Sequence, residues 1–115
     1  MITLTQEEYL TTSIHLNIMK KAVKKGLKAS YQSEYKDYWK AFKSGLKKLN
    51  DQHEEEKEFY QIELSDDEQM IIGEFLTYYS KELEPGADSE EKMMSLEQIR
   101  MAARKIALPK EEMTS

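Results

Sequence analysis

Residues 31–49 read YQSEYKDYWKAFKSGLKKL, and the spacing of their apolar side chains decides the expected fold. Apolar residues recur here every three or four positions, at Tyr31, Tyr35, Tyr38, Trp39, Phe42, Leu46 and Leu49. At about 100° per residue, this spacing places them in one stripe along an α-helix. Because five of the seven are aromatic, the helix carries a bulky face that must be buried. We therefore expect a central helix over residues 31–49, on which the other segments pack.

A line of basic residues lies on one flank of this apolar stripe. These residues, called the lysine stripe below, are Lys36, Lys40, Lys43 and Lys47. They share a helix face because they too are three or four positions apart. We expect them to be solvent-accessible. Together with Lys20 and Lys24 of the preceding segment, they are the candidate partner-binding residues.

Three further helices are expected, over residues 6–25, 66–83 and 89–107. Two of them begin with a capping box, in which a hydroxyl residue is followed three positions later by a glutamate. The two boxes are Thr5 with Glu8 and Ser65 with Glu68. A single helical domain over residues 1–108 and a frayed tail over residues 109–115 follow from this pattern.

The boundary between the first two helices is expected at Gly26. Glycine followed by an apolar residue is typical of a helix end, where glycine takes the left-handed conformation. Ser30 is then the expected N-cap of the central helix. The first helix is expected to have a broad apolar face with two lines: one is formed by Leu10, Ile14, Ile18 and Ala22, and the other by Leu16, Met19 and Val23. In the core as a whole, Trp39, Phe42 and Phe75 are expected to be largely buried.

Two short stretches, residues 1–4 and 60–64, alternate apolar and polar side chains. They either pair as a minimal two-stranded ribbon or remain extended lead-ins to the helices. The sequence Ile2-Thr3-Leu4-Thr5 is echoed sixty residues later by Ile62-Glu63-Leu64-Ser65, each followed by its capping glutamate. The predicted fold is mainly α, a four-helix bundle-like single domain with the ribbon as an open addition.

The order of a strand, a capped helix and a second helix resembles that of ribbon-helix-helix DNA-binding proteins. Two features differ from that pattern. The second candidate strand offers Gln61 and Glu63 rather than basic side chains, and the first helix is longer than is usual in such units. Too few residues match for the chain to be assigned to that family.

Charge is divided unevenly along the 115 residues, whose net charge is −5. Residues 1–50 carry ten lysines against four carboxylates, or +6, and residues 51–115 carry seven basic and eighteen acidic residues, or −11. One interpretation is that the two halves attract each other within one fold. The other is that the lysines form a basic binding surface.

Catalytic and metal-binding patterns are missing from the sequence. There is no cysteine, no Gly-x-Ser-x-Gly elbow and no glycine-rich phosphate loop. The two histidines, His15 and His53, lack metal-ligand spacing. His15 is expected on a helix flank, and His53 begins a solvated charge run with residues 54–56. We expect neither an enzyme nor a protein that uses a cofactor or metal.

The expected function is that of a small cytoplasmic protein–protein interaction or regulatory module, acting through amphipathic helix faces on an acidic partner. The alternative is a nucleic-acid-binding protein that uses the lysine-rich face of the first half. The breadth of the apolar stripes also predicts a homodimer, because exposed apolar surface is normally an interaction site. No apolar run is long enough to span a bilayer and no signal peptide is recognisable, so no membrane association is expected.

Overall fold

The computed structural model describes residues 1–53 and 56–107. Two strands and four α-helices occur in the order β1 (Ile2–Thr5), α1 (Gln6–Tyr31), α2 (Tyr35–Asn50), β2 (Phe59–Ile62), α3 (Asp66–Leu83) and α4 (Glu90–Ile106). Short 3₁₀ turns, Gln32–Glu34 and Glu84–Gly86, follow α1 and α3. The fold is therefore mainly helical with a small antiparallel sheet, as expected. The expected tail, residues 109–115, lies outside the described residues.

The capping boxes set the starts of α1 and α3 as predicted. The Thr5 hydroxyl accepts a hydrogen bond from the Glu8 amide, and the Glu8 carboxylate accepts one from the Thr5 amide. Ser65 and Glu68 make the same pair of bonds at α3. Each box satisfies two amides that have no partner within the helix. The bounds of α3 coincide with the predicted residues 66–83.

The predicted end of the first helix at Gly26 is wrong, because α1 continues for five more residues. Gly26 does not have a positive φ angle, and Leu27 is buried. Burial of Leu27 outweighs the cost of up to about 1 kcal/mol for a glycine inside a helix. The helix instead ends at Gln32, whose φ is 50° and whose N–H donates to the Lys28 carbonyl. Ser30 is consequently a residue of α1 and not an N-cap.

The predicted four-helix bundle is not confirmed. No loop separates α1 from α2: only the 3₁₀ turn Gln32–Glu34 lies between them, and the φ of 50° at Gln32 interrupts the regular helix there. When α1, this turn and α2 are counted as one segment, the described ranges contain three helical segments. Their packing is cyclic, since α1 packs against α2 and α4, and α3 packs against the same two helices.

Of the two alternatives for residues 1–4 and 60–64, the ribbon is the correct one, because β1 and β2 form an antiparallel pair. Its bounds are one residue later in β1 and one or two earlier in β2 than predicted. Ile2 lies opposite Ile62 and Leu4 lies opposite Tyr60, and all four side chains are buried. Ile2 and Ile62, which are equivalent positions in the sixty-residue echo, thus lie opposite each other in the ribbon.

The core lies between the ribbon and the four helices. Phe42 is fully buried, and the rings of Tyr9 and Tyr60 stack with centroids 3.9 Å apart. Trp39 and Phe75 are only half-buried, at the edge of the core. The prediction of large burial is thus confirmed in full for Phe42 and in part for Trp39 and Phe75, which pack against the core and keep some of their surface in contact with solvent.

The inward face of α1 differs in part from the predicted one. In the first predicted line, Ile14, Ile18 and Ala22 are exposed, whereas Leu16 and Val23 of the second line are buried as predicted. The buried positions of α1 are Glu8, Tyr9, Thr12, Ser13, Leu16, Val23 and Leu27. Because this set includes two small hydroxyl residues, Thr12 and Ser13, it does not stand out as an apolar line in the sequence. The helix turns its larger side chains, Tyr9 and Leu16 among them, towards the core.

Candidate functional site

The candidate site lies on α1 and α2, the two helices that carry the predicted partner-binding lysines. Within α2, burial of Phe42, Leu46 and Leu49 turns the opposite side of the helix outward. All four residues of the lysine stripe are exposed, as the sequence predicted: Lys36, Lys40, Lys43 and Lys47. On α1, Lys20 is exposed and Lys24 is half-buried.

Trp39 brings lysines from both helices together. The Nζ atoms of Lys24 and Lys43 each lie 5.6 Å from the centre of the Trp39 ring. At this distance an ammonium group is attracted by the electrons of the indole face, by about 0.5–1 kcal/mol at an exposed site. On its inner side, Trp39 stacks with Phe42 at 5.7 Å between centroids. The indole is therefore held in place by the core and flanked by two cations.

Aromatic and basic residues alternate over the neighbouring surface. Lys28 Nζ lies 5.4 Å from the centre of the Tyr35 ring. The rings of Tyr31 and Tyr38 are in contact, with centroids 4.3 Å apart. We call the surface formed by Lys24, Lys28, Tyr35, Trp39 and Lys43 the Trp39 face. The apolar spacing of α2 predicted only a buried role for its aromatic residues; the i,i+4 spacing of Trp39 and Lys43 was the signal for their surface role.

Direct ion pairs leave most of the candidate lysines unneutralised. In the described part of the chain, neither Lys20 nor Lys24 has a carboxylate within 4 Å, and the same holds for Lys36, Lys40 and Lys43. Lys47 pairs with Asp51 of its own helix end, at 3.1 Å. Among the described residues, Asp51 is therefore the only residue of the acidic second half that forms an ion pair with the stripe, and three of the four stripe lysines have no carboxylate within 4 Å.

The two halves do attract each other, through two buried glutamates outside the candidate site. Lys48 of α2 donates to Glu68 of α3 at 2.6 Å, and Lys105 of α4 donates to Glu8 of α1 at 2.7 Å. The carboxylates are 5% exposed. Burial raises the pKa of each, but the hydrogen bonds from lysine and from the capping-box amide outweigh it, so both pKa values are lowered. Carboxylates that are held ionised in this way stabilise the packing of the helices and are poor proton donors.

A cleft between α1, α3 and α4 contains the half-buried His15. Its Nδ1 lies 2.7 Å from the Tyr79 hydroxyl oxygen, and burial lowers the pKa of the imidazole. The cleft has a volume of about 430 Å³ and is lined by His15, Glu82, Leu83, Gly86, Ala87, Glu91, Lys92 and Ser95. Among the described residues, no group of three histidine or acidic side chains is arranged to hold a metal ion. The charge run after His53 falls partly on residues 54 and 55, outside the described residues.

The outward side of the ribbon carries Thr3, Phe59 and Gln61, which are exposed. None of the three is basic. The order of elements shared with ribbon-helix-helix proteins is therefore not accompanied by a cationic strand surface of the kind that attracts phosphates.

Comparison with known proteins gives no relative: no protein-family description, no curated protein and no solved structure matches the chain. Among the described helices, none is both long enough and apolar enough to cross a lipid bilayer.

Proposed function

We propose that the protein is a small cytoplasmic interaction or regulatory module that binds an acidic surface of another protein through the Trp39 face and the lysine stripe. It acts by binding and not by catalysis. The observation that supports this proposal is the position of Trp39, half-buried between Lys24 and Lys43, neither of which has a carboxylate within 4 Å in the part of the chain that the structure describes.

Such a surface combines two features that favour a protein–protein contact, one that stabilises the complex and one that speeds its formation. A tryptophan already held by Phe42 loses little conformational entropy on binding and is among the residues that contribute most to interfaces. Unpaired lysines around it speed the encounter with a surface of opposite charge. An acidic partner would supply the carboxylates that the fold itself does not provide.

An acidic protein fits better than nucleic acid because of the remaining charges. Residues 51–115 carry a net charge of −11 and would repel a polyanion that approaches closely. The first ninety-nine residues contain no arginine, the side chain that makes the commonest specific base contact. Nucleic-acid binding through the same lysines is the alternative.

A capture experiment tests the proposal. The chain is immobilised and its binding proteins are collected from the native cell and identified by mass spectrometry. The same is done with Lys40→Gln/Lys43→Gln, which removes two stripe lysines, and with Lys81→Gln/Lys92→Gln, which removes the same charge from α3 and α4. We expect an acidic protein that is retained by the parent and the second variant and lost with the first.

The single tryptophan provides a direct check, because the only indole in the chain lies in the proposed contact. Titration of the captured partner should change Trp39 fluorescence and saturate. A partner that binds without changing this signal does not use the Trp39 face. Nanomolar binding to duplex DNA at about 0.15 M salt, lost when all four stripe lysines are replaced by glutamine, would establish the alternative function instead.

A further inference from the structure

The outward side of α1 carries an apolar centre with charges of opposite sign at its two ends. Six residues form this line, which we call the outer stripe: Glu7, Thr11, Ile14, Ile18, Lys21 and Lys25. Their spacing alternates between four and three positions, which is the spacing of a coiled-coil seam. At about 100° per residue, the stripe is centred opposite the buried line that contains Leu16 and Val23. It therefore faces away from the core.

Isoleucines at the centre of this stripe lack cover among the described residues. Ile14 is 52% exposed and Ile18 is 70% exposed, and they are adjacent on the helix surface. The outward side of a helix in a soluble domain is normally polar. A pair of β-branched apolar side chains at positions of heptad spacing instead favours docking of another helix.

The charges on the outer stripe indicate which helix that is. We propose that α1 docks antiparallel against α1 of a second copy of this chain, with the two-fold axis near position 16. Ile14 of each copy then lies opposite Ile18 of the other, and Glu7 lies opposite Lys25. A parallel arrangement would place Glu7 against Glu7 and Lys25 against Lys25, which like-charge repulsion disfavours. The charges of two outer stripes are thus complementary only when the two helices run antiparallel.

This docking is independent of the proposed partner contact. The Trp39 face uses Lys24, Lys28 and residues of α2, and none of these belongs to the outer stripe. If one proposal is refuted, the other is therefore unaffected, and the two are tested by different variants.

Molar mass in solution gives the first test. Light scattering over concentrations from about 1 µM to about 1 mM should show a mass rising from that of one chain, 13.5 kDa, towards twice that value. Ile18→Glu should weaken association about tenfold or more. Met93→Glu changes an apolar side chain on α4 that is 53% exposed, and it should leave association unchanged. A single-chain mass at every concentration, or loss of the dimer only in the Met93 variant, would refute the proposal.

Charge reversal tests the direction of the helices. Glu7→Lys and Lys25→Glu should each associate several-fold more weakly than the parent, because each creates two repulsive contacts per dimer. A mixture of the two should recover dimers, since every contact across the axis then joins a lysine to a glutamate. The hydrogen bond from Gln98 to Glu7 is lost in the Glu7 variant both alone and in the mixture, so it does not affect the comparison. Absence of recovery would show that the antiparallel register is wrong.

A disulfide measures the register itself, because the chain contains no cysteine. Ile14→Cys and Ile18→Cys variants are mixed and oxidised. The proposed register brings position 14 of one copy level with position 18 of the other, so mixed disulfides should form faster than either homodimer. Circular dichroism melts confirm that the variants are folded. Preferential formation of either homodimer would exclude this register.

Discussion

The side chains of Glu8 and Lys105 are joined by an ion pair, 2.7 Å long, between the first turn of α1 and the last turn of α4. It has a counterpart in Glu68 and Lys48, where the first turn of α3 meets the last turns of α2. Each glutamate is also the third residue of its helix and closes a capping box there. The two pairs thus connect each half of the chain to the other in the same way. Because both carboxylates are held ionised, protonating them at low pH should lower the stability of the fold.

The first prediction concerns these glutamates. Glu8→Gln and Glu68→Gln should each reduce the free energy of unfolding near neutral pH by about 1–3 kcal/mol, because each removes charge-assisted hydrogen bonds from a buried group. Both native pKa values are lowered from the ordinary value of 4.5. The stabilisation is therefore fully present above pH 4.5 and is lost as the pH falls through the native pKa.

Urea unfolding at a series of pH values measures this effect. The difference in the free energy of unfolding between the parent and each glutamine variant should become smaller below pH 4.5. Glu97→Gln, at an exposed position of α4, serves as the control and should cost less than about 0.5 kcal/mol. A difference that stays constant down to about pH 2 would contradict the lowered pKa values.

The second prediction concerns His15. Burial lowers its pKa below the ordinary value of 6.5, so the unfolded chain binds a proton more readily than the native one. The stability that His15 contributes is complete above pH 6.5 and declines as the pH falls through the native pKa. His15→Asn should remove this decline between about pH 7 and pH 5. His53→Asn, which replaces the exposed second histidine, should retain it. Equal slopes in both variants would show that His15 is not responsible.

The third prediction concerns the core. Phe42 is fully buried, with the Phe75 ring packed edge-on at 6.2 Å between centroids. Phe42→Ala should lower the free energy of unfolding by about 3–5 kcal/mol, measured by denaturant titration. Tyr78→Ala removes an aromatic ring that is 61% exposed and should cost far less. Similar denaturation midpoints for the two variants would mean that Phe42 is not part of the core.

The fourth prediction distinguishes two glycines within helices. A Cβ atom at Gly26 would meet nothing within 4 Å, so Gly26→Ala should stabilise the protein by about 0.5–1 kcal/mol. A Cβ atom at Gly73 would lie 2.8 Å from the backbone Cα of Ala107, so Gly73→Ala should destabilise it by about 1–3 kcal/mol. Thermal unfolding measures both changes. Destabilisation by Gly26→Ala would support the helix end that the sequence pattern indicated and contradict a continuous α1.

Only part of the candidate site can be predicted from the sequence. The exposure of Lys36, Lys40, Lys43 and Lys47 follows from helical spacing within α2 alone. That Lys24 and Lys43 flank Trp39 does not, because it depends on how closely α1 approaches α2. The same applies to Lys36, Lys40 and Lys43, which have no carboxylate within 4 Å among the described residues. Acidic residues are plentiful in the second half, and only their placement in three dimensions keeps them away from these three lysines.

The sequence by itself determined the features that arise from residues within about four positions of one another. The capping boxes and the start and end of α3 belong to this group, since helix caps are local hydrogen bonds. Tertiary structure decided which of two apolar lines of α1 is buried, and whether Gly26 ends that helix. Both are competitions between local preference and burial against α2 and α4, and burial is the larger free energy. The pairing of Glu8 with Lys105, ninety-seven residues away, likewise depends on the packing of whole helices, which no local pattern in the sequence encodes.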